Sequence, residues 1–339
     1  MRLAGRERTD DGRTPLTTSR AQSLRYNWGV HTDEYDTFGP WIREVRSSED
    51  VPRLYRGHPL EFSNTLSVLK VPRDIARRDA NPRMHLYDQL LIITTDSITA
   101  LTRAGESYTV RELAMRDIFA IEDSVLLLDG LLTVHAIGGE LLLIPYNGSD
   151  RESITRLVAL LRRQATRTDA VAGEHAAGPA GKTDDIDRAA RQYLPDQRDQ
   201  GIRSDCSDVL RTEPGSVVLA GHSTVRLHPA DGSGLRAAIA HRMNPAFLNA
   251  VVVMGGTGDL SLIHRRHWIV RDAGDDVSSA RTVVIPARVV AVDVVPHPSY
   301  AAVSIVRIAA ARGRVELVVA EDSGIAEVVT QYCARSGSA

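Results

Sequence analysis

The clearest hydrophobic pattern in the chain predicts a helix over residues 149–163. Apolar residues recur there at intervals of three and four, so they share one face of a helix. They are Ile154, Leu157, Val158 and Leu161. Ser149 and Glu152 have the spacing of a capping box, in which each side chain satisfies a backbone N–H at the helix start. The same apolar spacing returns 171 positions later, at Ile325, Val328, Val329 and Tyr332. We therefore expect two amphipathic helices, each lying on a hydrophobic surface.

Short apolar or alternating stretches precede both helices and predict strands. In the first half they cover 66–71, 87–94, 97–103, 107–113, 118–122, 124–128, 131–137 and 140–145. In the second half they cover 216–220, 224–227, 250–254, 260–263, 268–271, 281–285, 289–295, 301–308 and 315–320. Gly138 and Gly139 form a strong hairpin signal between the last two strands of the first half. A run of strands followed by one helix predicts antiparallel sheets with the helix segregated from them.

Ordered matches between the halves indicate that a domain has been duplicated. Residues 118–122 match 289–293 at the same offset of 171, and Asn81 and Asn244, each followed by proline, match at an offset of 163. The predicted divisions are a disordered tail (1–25), an aromatic arm packing on the first domain (26–54), the first domain (55–163), a linker (164–210), the second domain (211–333) and a short tail (334–339). The length of 339 residues agrees with two domains.

About seven antiparallel strands closed by one amphipathic helix resemble the pleckstrin-homology superfold. Residues 90–163 look like bacterial pleckstrin-homology-like (PH-like) domains of unknown function, and residues 250–333 resemble them more loosely. The YNWGVHTDEYDTFGPW stretch resembles segments that precede such domains. The resemblance implies a mainly β (α+β) protein with two PH-like bent antiparallel sheets or open barrels in tandem, each closed by a C-terminal helix. Fold alone does not fix function, but a resemblance to this superfold usually implies a binding or scaffolding module.

The aromatic arm has no helix or strand period. Its aromatic residues are Tyr26, Trp28, Tyr35, Phe38 and Trp41, interrupted by glycine and proline. One interpretation is an irregular segment whose aromatic side chains pack on the first domain. The other is an exposed partner-docking arm, with Trp28, Tyr35, Phe38 and Trp41 as anchors, because tyrosine and tryptophan are typical of interfaces.

A basic loop between the first predicted strands is the candidate anion site. Its cations are Lys70, Arg73, Arg77, Arg78 and Arg83. Converging guanidiniums can bind phosphate through paired hydrogen bonds, so a lipid headgroup or a phosphate is the predicted ligand. The alternative interpretation is a solvated loop without a ligand, whose arginines pair with neighbouring aspartates. The second half has no matching cluster.

Composition narrows the class of protein. The net charge of −2 gives no general attraction to nucleic acid. Cys206 and Cys333, the two cysteines of the chain, fit a reduced cytoplasm better than a disulfide framework. No run approaches the ~20 apolar residues of a membrane span, and the N-terminus has no apolar core of a signal peptide. We expect a cytoplasmic protein without a transmembrane segment.

No motif in the sequence predicts catalysis. His264 and His267 have HxxH spacing but span a predicted turn without a third ligand, so we expect no metal site. The glycines around Thr257 lack the lysine of a P-loop, which favours a tight turn. We predict a non-catalytic protein without a cofactor that binds a protein or peptide partner. The alternatives are anionic lipid or phosphate recognition, with peripheral membrane contact, and an unrecognised enzyme.

Overall fold

The computed structural model describes residues 33–167, 191–230, 242–256, 258–271 and 277–336. The predicted disordered tail 1–25 and the start of the aromatic arm lie outside these residues. The described chain is mainly β, with several antiparallel sheets, and it ends in a helix. None of the sheets formed by the described residues closes on itself. The mainly β class and the C-terminal helix are thus confirmed.

The first half contains two groups of strands followed by a helix. A short helix α1 (Asp33–Asp36) precedes a five-stranded sheet. The strands of this sheet, in both chain and spatial order, are β1 (Arg43–Glu44), β2 (Ser67–Pro72), β3 (Tyr87–Ile93), β4 (Ser97–Ala104) and β5 (Ser107–Ala114). A 3₁₀ turn (Met115–Asp117) leads to β6 (Ile118–Leu126), β7 (Asp129–Ala136), β8 (Leu141–Asn147) and helix α2 (Arg151–Arg167).

The second half has a similar order. Helix α3 (Gln200–Thr212) comes first. The longer strands that follow are β9 (Val217–His222), β13 (Val251–Gly255), β14 (Leu260–His264) and β16 (Ser279–Val284). Short strands β10 (Val225–Arg226), β11 (His228–Pro229), β12 (Phe247–Leu248), β15 (Ile269–Val270) and β18 (Tyr300–Ala301) lie in the connections. A 3₁₀ turn (Pro286–Arg288) leads to β17 (Ala291–Pro296), β19 (Val303–Ala309), β20 (Arg314–Ala320) and helix α4 (Ile325–Ser336).

One sheet runs through both halves. Its seven strands lie in the order β8-β7-β6-β16-β14-β13-β9, and β6 pairs antiparallel with β16 at the junction. Val283 lies opposite Ile121 there, and Val284 lies opposite Ala120. The two halves are therefore joined by a backbone hydrogen-bond ladder as well as by the chain.

The cores also cross the junction. The first core, beneath α2, includes Val283 and Ile285 from the second half. The second core, beneath α4, includes Phe119 and Ala120 from β6. Neither half therefore buries a core made only of its own residues. Strand β6 contributes to both faces of the shared sheet, and a register shift between Ile118 and Ala120 in its pairing with β7 interrupts the strict alternation of its side chains. Ile118 and Ile121 reach the first core, whereas Phe119 and Ala120 reach the second.

Each large sheet is covered on its outer face by the segment that precedes it. In the first half, Phe38, Val45, Val51 and Tyr55 pack on residues of β2, β3 and β4. In the second half, α3 places Ile202, Cys206 and Val209 on Val252 and Met254. Residues 191–210, predicted to be linker, thus include most of a packed helix. Its apolar residues recur at helical spacing, but polar and small residues dilute the pattern.

Helix α2 has the predicted buried stripe, and its start differs from the prediction. Ile154, Leu157, Val158 and Leu161 are buried. The capping box is not formed: the Asn147 side chain accepts a hydrogen bond from the Ser149 N–H in a 3₁₀ turn that precedes the helix.

Helix α4 is less completely covered than α2. Its Ile325 and Val329 are buried, whereas Val328 and Tyr332 are half-buried. It ends at Ser336, inside the predicted tail 334–339. Among the described residues, no helix combines the length and apolar character needed to cross a membrane.

Candidate functional site

The basic loop divides its cations among different tasks. Lys70 is buried, and its ammonium donates a hydrogen bond to the Asp50 carbonyl oxygen (3.0 Å) while lying 5.1 Å from the centre of the Tyr87 ring. Burial lowers the pKa of Lys70. Lys70 therefore fixes the covering segment to the sheet, and its ammonium is directed into the protein.

Arg73 and Arg77 are also engaged by the protein. The Arg73 Nε atom lies 3.7 Å from an Asp88 carboxylate oxygen that Arg103 contacts at 2.7 Å. Arg77 donates hydrogen bonds to the carbonyl oxygens of Tyr35 and Phe38, with its guanidinium 4.1 Å from the centre of the Tyr35 ring. Both arginines hold loops together, so their hydrogen-bonding capacity is partly spent.

Arg78 and Arg83 are exposed, as is Arg77. Arg78 lies 3.8 Å from the Asp79 carboxylate, and both side chains are largely in solvent. The backbone N–H of Arg83 donates to the Asn81 side chain. The five predicted cations do not converge on one point in the described structure.

The described part of the aromatic arm lies against the first sheet. Phe38 is buried and meets the Tyr87 ring edge-on at 6.1 Å between centroids. Tyr35 is held beneath Arg77. Trp41 is 51% exposed, and Trp28 lies outside the described residues. Phe38 and Tyr35 thus serve the cover of the sheet, and Trp41 retains an exposed aromatic surface.

A cavity of about 920 Å³ lies beside the basic loop. Its charged lining residues are Arg73, Arg77, Arg103, Asp74, Asp88 and Asp129. The positive and negative side chains are equal in number, and Asp129 also pairs with Arg266 at 2.6 Å. A lining of balanced charge gives little attraction to a phosphate group.

A second concave surface, of about 790 Å³, runs between helix α2 and strands β1 and β2. We call it the helix groove. Its apolar floor is formed by Ile42, Leu66, Leu69, Leu157 and Leu160. Leu66 is 43% exposed, and Leu69 and Leu160 are half-buried at the margin of the first core. The groove therefore presents accessible apolar surface between a strand pair and a helix.

Cations form the exposed rim of the helix groove. Arg46 lies 3.0 Å from Glu44, but this arginine side chain is mostly in solvent. Arg156 and Arg163 project from α2 and are exposed. Glu44 is the exposed acidic residue among those that line the groove. The rim consequently carries an excess of positive charge over an apolar floor.

A group of paired charges closes one end of the groove, and we call it the Arg162 cluster. Arg162 of α2 bonds to Glu213 and Asp259 of the second half. Arg281 meets Glu213 through two contacts of 2.5 and 2.7 Å. Burial would raise the pKa of the Glu213 carboxyl, but Arg281 and Arg162 outweigh it and lower that pKa. The ion pairs of Arg162 join the halves, although the Oδ1 atom of Asp259 is buried without a hydrogen-bond partner.

The HxxH pair does not form a site. His264 is buried and His267 is exposed. The His264 Nδ1–H donates to the Arg265 carbonyl oxygen (2.7 Å), its Nε2 accepts from the Thr282 hydroxyl (2.9 Å), and its ring stacks on Trp268. No group of three potential metal ligands is found within the described ranges.

The neutral state of His264 predicts a pH dependence of stability. Burial lowers the pKa of its imidazole in the folded protein. Below about pH 6.5 the unfolded chain takes up the proton first, so stability falls with pH until the folded pKa is reached. In urea unfolding, the wild type should lose up to about 1.4 kcal/mol per pH unit more than His264→Gln in this range. His267→Gln, at the exposed histidine, should follow the wild type. Parallel curves for wild type and His264→Gln would contradict the prediction.

The sequence pattern did not predict the helix groove. The signal was partly present, because Leu160 adjoins the predicted apolar stripe and Arg156 and Arg163 lie on the polar face of the same helix. Nothing in the pattern showed that residues 42–46 and 66–69 would lie beside that helix.

Comparisons with protein-family models, with curated proteins and with solved structures found no match to this chain.

Proposed function

We propose that the chain is a non-catalytic binding protein of two PH-like domains in tandem, which recognises a peptide segment of a partner protein. The helix groove is the observation that carries this proposal. Grooves between a helix and a strand edge suit peptides, because apolar anchors fill the floor and the strand edge can align the backbone.

The order of elements supports the PH-like part of the proposal. In each half a larger antiparallel group of strands precedes a 3₁₀ turn, three further antiparallel strands and a helix. The two 3₁₀ turns begin at Met115 and Pro286, which are 171 positions apart, as are the stripes of α2 and α4. A shared offset over turn, strand and helix is what an internal duplication produces.

The lining of the helix groove indicates the chemistry of the peptide. Leu66, Leu69 and Leu160 would accept aliphatic or aromatic side chains, whose burial drives association. Arg46, Arg156 and Arg163 would favour aspartate or glutamate flanking those anchors. We therefore propose an acidic peptide with a few apolar anchors as the ligand class.

Selection of peptides from a random display library on the full-length protein tests the proposal. Selected peptides should combine apolar anchors with acidic flanks. Their affinity, measured by fluorescence polarisation, should fall at least about tenfold in Leu66→Glu, because a carboxylate would replace the apolar floor and repel the acidic flanks. Arg163→Glu should weaken binding in the same direction, and more strongly at low salt.

Leu143→Glu is the matched control. Leu143 is as exposed as Leu66 but lies on β8, away from the groove lining. It should bind the selected peptides as the wild type does. Peptides without acidic residues, or equal binding by Leu66→Glu and Leu143→Glu, would overturn the proposal.

Anion recognition through the basic loop has less support than peptide binding in the helix groove. Lys70, Arg73 and Arg77 already hold the loop to its surroundings. Arg78 and Arg83 are the remaining cations of the loop, and their exposed side chains would offer a weak, screened contact to a phosphate surface.

A further inference from the structure

The two halves correspond strand by strand near the 3₁₀ turns. β5 precedes the turn at Met115, and β16 precedes the turn at Pro286. β6 follows the first of these turns, and β17 follows the second. With the offset of 171, Val110 corresponds to Arg281 and Asp293 corresponds to Glu122. The strand before the turn and the strand after it are therefore equivalent elements in the two halves.

The halves are joined by one strand that precedes a 3₁₀ turn and one strand that follows a 3₁₀ turn. β16, which precedes the second turn, pairs along the edge of β6, which follows the first turn. Thr282 lies opposite Glu122 and Arg281 lies opposite Asp123 in this pairing. The junction thus shows that a strand preceding one turn can lie along a strand following the other.

The other strand that precedes a turn, β5, and the other strand that follows a turn, β17, each have an open edge. β5 is the outermost strand of the five-stranded sheet, and β17 is the outermost strand of the sheet β17-β19-β20; neither has a further partner strand among the described residues. Val110 of β5 is 53% exposed, and Val294 of β17 is 45% exposed. Leu157 on α2 is buried, whereas the corresponding Val328 on α4 is only half-buried. This difference is expected if β6 has a partner strand from the other half and β17 has none.

We propose that β17 binds β5 of a second copy of this chain, in the register of the junction between β6 and β16. In that register Arg111 lies opposite Asp293, and Val110 lies opposite Val294. Opposite charges and apolar pairs directly across an antiparallel ladder stabilise it. Arg111 and Asp293 are exposed, and the Arg111 guanidinium donates a hydrogen bond to the Leu141 carbonyl oxygen.

One position of this register is not complementary. Glu112 would lie opposite Val292, where the internal junction has Val283 opposite Ile121. A carboxylate at an apolar position weakens the pairing. The contact between copies is therefore weaker than the internal junction, and it responds to protein concentration.

The contact is heterologous, since β5 and β17 are different surfaces. A copy that donates β5 keeps its own β17 open for the next copy. Such head-to-tail contacts produce rings when the rotation closes and open filaments when it does not. The expected product is a series of species larger than one chain of 37.0 kDa.

Charge reversal at the two exposed residues tests the proposal by sedimentation velocity over a concentration series at low salt. The wild type should assemble as concentration rises. Arg111→Asp and Asp293→Arg should each weaken assembly about tenfold or more, because an attractive pair becomes a repulsive one. An equimolar mixture of the two variants, and the double variant, should assemble again.

Glu112→Val provides a test in the opposite direction and should strengthen assembly. A wild type that stays at the mass of one chain throughout the series would overturn the proposal. The proposal would also be overturned if Asp293→Arg lost assembly while Arg111→Asp assembled like the wild type, because that result indicates pairing of β17 with β17 of another copy. Failure of the mixture to assemble would also overturn it, while the melting temperature of each variant shows that the chain is folded.

Discussion

Replacing Arg162 by methionine is expected to lower the free energy of unfolding by about 3–5 kcal/mol, because it leaves a buried carboxylate without its cation. Asp259 is almost completely buried, and Arg162 is its salt-bridge partner. Glu213 retains Arg281. The loss therefore falls mainly on Asp259. Urea unfolding at neutral pH measures it.

Three comparisons separate this effect from general damage to helix α2. Arg163→Met changes the exposed neighbour and should cost within about 0.5 kcal/mol. Arg162→Met combined with Asp259→Leu removes both charges and should recover much of the stability. The unpaired Asp259 has a raised folded pKa, so the deficit of Arg162→Met should shrink as pH is lowered through that pKa. A deficit equal to that of Arg163→Met would contradict this account.

Replacing Phe119 by alanine is expected to cost about 3–5 kcal/mol and to weaken the second half, although residue 119 belongs to the first. Phe119 is fully buried in the core beneath α4. Its ring also lies against Gly313, where an added Cβ would come within 2.5 Å of it. Amide hydrogen exchange should show the loss of protection in β19 and β20.

Phe62→Ala is the control for Phe119→Ala. Phe62 is half-buried in the covering segment of the first sheet, away from the junction. Its replacement should cost less and should leave β19 and β20 protected. If Phe119→Ala lost amide protection only in the first half, β6 would not support the second core.

The local elements were predictable because their patterns are local. A stripe at helical spacing needs only its own sequence, and Ile154 to Leu161 form it clearly. Helix α3 was not predicted, because its buried apolar residues, Ile202, Cys206 and Val209, are few and lie among polar neighbours. The shared sheet escaped because pairing of β6 with β16 joins distant residues. The uninterrupted apolar run Ile118 to Ile121 is typical of a strand buried on both faces and was its one local sign.

The candidate sites show a similar limit. Five cations close in sequence suggested a converging cluster, but sequence proximity does not fix side-chain direction. Lys70 points inward to the Asp50 carbonyl oxygen, while Arg78 points to solvent. The helix groove combines residues about 100 positions apart, such as Leu66 and Leu160, and only the tertiary fold brings them together.

The shared strand pair imposes an order of events on synthesis. β6 ends at Leu126 and its partner β16 begins at Ser279, so about 150 residues separate them. At 5–20 residues per second, the ribosome takes roughly 8–30 s to supply the second strand. Throughout that interval the nascent first half exposes the β6 edge and lacks the Val283 and Ile285 side chains of its core. Chaperone protection of the nascent chain would therefore matter most before β16 emerges.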